Sequence, residues 1–198
     1  MRNLFIGALM MVFVPAAFSQ TIIGTKHDLS GKGWGSDQAC VFCHTPHNAK
    51  TGVQGAPLWN HEVTTATFTT YSSDTLQATV ATPDGSSKLC LSCHDGTVAV
   101  DSFGTRTGAN TMTGNAMVGT DLSNDHPISF TYDAALATAD GGLTSPFSTQ
   151  WVDTGKTLPL YNGKMQCASC HNVHNDQYGN FLRMGNAGSA LCLKCHQK

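Results

Sequence analysis

Charge is scarce in this chain of 198 residues: Asp, Glu, Lys and Arg supply 12% of it, against about 25% in an ordinary soluble domain. Its eleven Lys and Arg form no cluster and its formal charge is -2, so the basic footprint of a nucleic-acid-binding protein is missing. Long apolar runs are missing too. The longest, Leu4 to Ala17, is shorter than the ~20 residues of a membrane-spanning helix. Long amphipathic helical patterns and alternating strand and helix patterns are absent, which argues against helical bundles and nucleotide-binding sheets. No cysteine stands outside one repeated motif, which leaves none for a separate disulfide framework.

The apolar run follows Met1-Arg2-Asn3 and ends in Ala17-Phe18-Ser19, a small-x-small pattern ahead of Gln20. Residues 1–19 read as a secretory signal peptide rather than an anchor. The expected product is exported, to a compartment where cysteines are oxidised or captured by a cofactor.

All eight cysteines fall in Cys-x-x-Cys-His units: Cys40 and Cys43 with His44, Cys90 and Cys93 with His94, Cys167 and Cys170 with His171, Cys192 and Cys195 with His196. Two thiols on one local turn add across the two vinyl groups of a haem, and the following imidazole binds the iron. Disulfides do not require that histidine. Zinc ribbons combine two cysteine pairs per metal without it, and a thioredoxin-like pair does not recur four times in such a chain. Four covalently attached haems c are therefore expected, with His44, His94, His171 and His196 as proximal ligands.

Nine histidines are present, leaving five after the proximal set. One pattern occurs twice: a histidine beside an aspartate, then CxxCHxxH, then a Ser/Leu-rich approach to a second CxxCH. The first copy uses His27 and His47, the second His126 and His174. These four are the expected distal ligands. His61, in Trp59-Asn60-His61-Glu62, has no counterpart and stays outside the ligand set, as a surface residue or a neighbour that tunes a haem by hydrogen bonding. Histidines three apart, as in His44/His47 and His171/His174, leave a helical turn at different heights, so the second of each pair should serve a neighbouring haem. Methionine is the rival distal ligand (Met112, Met117, Met165, Met184), but the histidine count closes without it.

The expected organisation is a first dihaem unit at 20–103, a Gly/Thr/Asn-rich linker at 104–124 and a second dihaem unit at 125–198. Short strands are expected in 63–82, 128–132 and 158–161, the last preceding an Asn162-Gly163 turn. With roughly 45 residues per haem, the peptide core is too small to hold a fold alone. The expected fold is a mostly irregular multihaem cytochrome c, with short helical turns at the CxxCH motifs and few short β-ribbons, wrapped around a chain of four haems. Haem sites reach both ends of the sequence, and His27 sits beside a glycine-rich arm, Gly31 to Gly35, that would allow it to reach either a haem of its own chain or one of an adjoining subunit.

The segments Cys40–Asn48 (CVFCHTPHN), Pro57–Asn60, Leu89–Gly96 (LCLSCHDG), His126–Ile128 and Arg183–His196 resemble the doubled-CxxCH multihaem cytochromes, and within them the OmcE-type tetrahaem cytochromes of metal-reducing bacteria. The resemblance implies bis-histidine haems, a location outside the cell or on its outer surface, and self-association into filaments of stacked haems. It also implies one ligand shared between subunits, which favours His27 as a bridge without identifying it. The leading expectation is an electron carrier, not an enzyme, fed by upstream donor cytochromes and discharging to extracellular acceptors. A monomeric periplasmic shuttle shares every residue assignment. A multihaem reductase would need an iron with an open position, against which the histidine count argues.

Overall fold

The computed structural model describes residues 21–197. The expected signal peptide lies outside the described residues. Regular structure is sparse: helices α1 (Gly85–His94), α2 (Ala134–Asp140) and α3 (Cys167–Cys170), strands β1 (Phe130–Thr131) and β2 (Lys164–Met165), and five 3-10 turns. The irregular fold expected from the sequence is what forms. Among the described residues no helix is long and apolar enough to cross a membrane.

Local chemistry sets the element ends. Asp133 accepts from the Leu136 amide at 2.8 Å and caps α2, satisfying one of the donors a helix start leaves free. Gly141 closes the same helix at φ 70°, a left-handed conformation that only glycine adopts without cost. Helix α1 stops at His94, with Gly96 in the same left-handed region two residues on.

Strands β1 and β2 pair antiparallel, Phe130 opposite Met165 and Thr131 opposite Lys164. Beyond them Tyr161 and Lys164 exchange backbone hydrogen bonds at 3.0 and 3.1 Å around Asn162 and Gly163. Both turn residues have positive φ, as the expected two-residue hairpin turn requires. The strands expected in 63–82 do not form. That stretch has no ladder and is broken by a turn in which the Leu76 amide donates to the Ser73 carbonyl at 3.2 Å; Thr69 alone makes a bridge, to Asp121. Its β-branched residues fit a strand, but no neighbouring segment offers a continuous row of partners.

Two apolar clusters form. Phe130, Tyr132, Leu136, Val152, Leu158, Leu160 and Met165 make the larger, with Leu191 and Cys195 against it. Val53, Trp59 and Leu89 make the smaller, with Cys43 packed on it. Ala78 and Val80 join the larger cluster from the first half of the chain, so the halves share packing. The 104–124 stretch read as a linker lies along the end of α1, where the Val118 amide donates to the His94 carbonyl at 2.7 Å.

The repeats are also tied through polar contacts. Ser87 Oγ accepts from the Cys167 amide at 2.9 Å, and Asp84 Oδ1 accepts from Gln166 Nε2 at 2.7 Å. Lys164 pairs with the same Asp84 carboxylate. These contacts set the starts of α1 and α3 side by side.

Candidate haem sites

Each CxxCH unit sits on a helical turn. The His44 amide donates to the Cys40 carbonyl at 2.8 Å, His171 to Cys167 at 3.0 Å and His196 to Cys192 at 2.9 Å. The second unit forms the last turn of α1. A turn of this kind puts both thiols on one side and fixes the histidine relative to them.

Three proximal rings are held through Nδ1 by backbone carbonyls from other parts of the chain. His44 donates to Pro57 O at 2.6 Å, His94 to Ala116 O at 2.7 Å and His171 to Asn180 O at 2.9 Å. A proton fixed on Nδ1 leaves the Nε2 lone pair for a metal and fixes the ring's direction. Segment 104–124 thus supplies the carbonyl that orients His94.

The rings form pairs drawn from distant sequence. His27 stands 6.0 Å from His94 between ring centres, His44 6.1 Å from His174 with planes 17° apart, and His126 6.3 Å from His196. With a metal–imidazole bond of about 2 Å and a ring centre about 1 Å behind its nitrogen, two imidazoles sharing one iron stand about 6 Å apart. The separations fit an iron between each pair. His27 Nδ1 and Trp59 Nε1, beside two of these pairs, are buried without a partner in the polypeptide. Such donors suit the carboxylates that a haem carries.

Electrostatics agree with ligation. Burial, reinforced by His94, lowers the His27 pKa to about 4, and burial and His44 lower that of His174. Both rings are held neutral, the form that binds metal. The cysteines of successive motifs lie near one another. Cys93 feels the charge of Cys43, Cys90 hydrogen-bonds to Cys167, and Cys170 feels that of Cys195. Before attachment, the Cys90 bond holds the Cys167 thiol down to about 7.

The placement refines the sequence reading. His27, His126 and His174 each lie beside the histidine of a CxxCH unit, and His174 does so across to the other copy of the repeat. His27 faces a ring of its own chain, the intramolecular arrangement that its place beside the glycine-rich arm left open alongside a bridge to an adjoining subunit. His47 is exposed, and among the described residues neither its ring nor that of His171 makes a contact like those of the three pairs, although the charge of His171 reaches His27. Met165 is a core residue at 4% exposure, as gap-filling methionine would be. The sequence reading missed the clamps from Pro57, Ala116 and Asn180. They act through backbone oxygens, which leave no signature in residue type.

Turns, ring pairs and adjoining cysteines together define a protein that binds haem c at CxxCH motifs and resembles the multihaem c-type cytochromes that transfer electrons. Residues 159–198 match the family model described as the doubled CXXCH motif, a span that holds the third and fourth motifs. No curated protein matches the chain.

Proposed function

We propose that the chain carries four haems c, each with two histidine ligands, and passes electrons along them to acceptors outside the cell as part of a self-assembled filament. The observation that carries this reading is the set of three ring pairs at haem-ligand spacing, with cysteines of successive motifs adjoining. Adjoining attachment points favour closely spaced porphyrins, running from the Cys40 motif through the Cys90 and Cys167 motifs to that of Cys192. The histidines hold iron and close its sixth position; no substrate bond is made or broken.

Self-association rests on the two histidines left over. Exposed His47 and the His171 of the third motif are the two candidate ligands that stand outside the three ring pairs among the described residues. Joining them between two copies completes the fourth site and makes His47 the bridge. Donor cytochromes and extracellular acceptors remain its proposed partners, and the cell exterior its proposed location.

His171, outside the three ring pairs among the described residues, also supports a second reading, a reductase whose substrate binds that iron. The discriminating experiment isolates the protein from culture supernatant and periplasm, counts haems by mass and images both fractions by electron microscopy. Filaments holding four haems per chain, lost in His47→Ala but retained in His27→Ala, are expected. Monodisperse periplasmic particles would leave a shuttle. Rapid carbon monoxide binding by the intact native assembly would favour the reductase.

A further inference from the structure

His61 pairs with no haem-motif ring, yet it is 1% exposed. Its ring lies 6.2 Å from that of Trp59, which lies 6.2 Å from that of His44. On its other side Nε2 is 3.4 Å from Cys93 Sγ. His61 is thus wedged between the first motif and the second.

Apart from the Cys93 thiol, the groups that contact its ring nitrogens accept hydrogen bonds. Nδ1 is 2.6 Å from Glu62 O and Nε2 is 3.1 Å from Ala99 O, and the Val100 carbonyl also faces the ring. A neutral imidazole carries one N–H, so one lone pair is left facing an oxygen. A free Cys93 thiol can donate to Nε2. A thioether has no such hydrogen, so attachment at Cys93 removes the S–H and leaves the ring among acceptors. The imidazolium, with two N–H groups, satisfies both carbonyls. Burial opposes that charge. The two influences oppose each other at one ring, so a unit of negative charge added beside it shifts the balance toward protonation.

We propose that His61 takes up a proton when an electron enters the haem attached at Cys90 and Cys93, and releases it when the electron leaves. One electron from a one-electron donor reduces ferric iron to ferrous, and one proton passes from solvent to a His61 ring nitrogen. No haem bond forms or breaks. The inference rests on haem attachment at this motif and not on filament assembly.

Other charged groups around the ring are already engaged. Glu62 is exposed and paired with Lys50 at 2.5 Å. From α1 and the residue after it, Cys93 is consumed by attachment and Asp95 accepts from Thr64 and Thr97. From the 99–103 segment, Asp101 is held by Arg106 and Asn110.

The test compares the haem-loaded wild type with His61→Gln, which keeps an N–H donor and cannot titrate. Both are reduced electrochemically in weakly buffered solution with a pH indicator, and their haem titrations are followed from acid to alkaline pH. Expected is greater proton uptake by the wild type, by up to one proton per chain. For a single haem its reduction equilibrium should change by up to tenfold per pH unit more than in the variant. Unchanged haem mass and low-spin spectrum establish that the variant folds, and His61→Asn serves where Gln does not. Equal uptake and equal pH dependence with haem present on the Cys90–Cys93 peptide overturns the His61 proposal alone. A peptide without haem overturns it together with the haem reading of that motif.

Discussion

A ring nitrogen serves iron only while it is unprotonated and its ring is held in place, and each paired histidine here can be judged on those terms. Replacing His174 or His126 by Ala removes one member of a 6.1 or 6.3 Å pair without touching a CxxCH turn. Each variant should keep all its haems by mass, while one haem per chain turns high-spin and binds carbon monoxide; optical titration counts it. His61→Gln should bind none. His27 carries a pH consequence. Its pKa falls from 6.5 to about 4 in the folded chain, so between those values the unfolded chain binds the extra proton. Stability from the neutral ring is complete above pH 6.5 and is lost as pH falls toward about 4. Denaturant titrations should show the wild type weakening across that window. His27→Met, which has nothing to protonate, should weaken less.

Contacts between short elements replace the long helices and wide sheets this chain does not form. Ser87 has no exposed surface, and its hydroxyl accepts from the Cys167 amide that opens α3. Ser87→Ala leaves that amide without its acceptor, a loss of about 1–3 kcal/mol. Chemical denaturation of the haem-loaded protein should show it, together with weakened contact between the second and third motifs. The Asp133 cap on α2 is more local, and Asp133→Ala should cost about 1 kcal/mol. The sequence made legible what depends on residue type: the four turns and the Asn162-Gly163 hairpin. Pairing was less legible, because the His44–His174 match joins two copies across 130 positions of chain that spacing alone does not fold. The failure of 63–82 to form strands has a similar origin: propensity describes a residue, while a ladder needs a partner segment.

For the molecule as a whole, charge would govern how copies of the chain meet in the proposed filament. The polypeptide has a formal charge of -2, each haem adds two carboxylates, and reduction of each iron removes one positive charge. In the proposed filament, copies joined end to end would therefore repel, and more strongly when reduced. Screening shortens that repulsion to about 8 Å at physiological ionic strength and about 3 Å at 1 M, whereas a His47–iron bond is short-ranged and persists. Raising salt should lengthen filaments or speed their assembly, most clearly for the reduced protein; light scattering against ionic strength in both redox states measures it. If contacts between opposite charges held the copies together, the same titration would dissolve them. In His47→Ala the screening remains and the bridging bond is gone, so salt should not restore assembly.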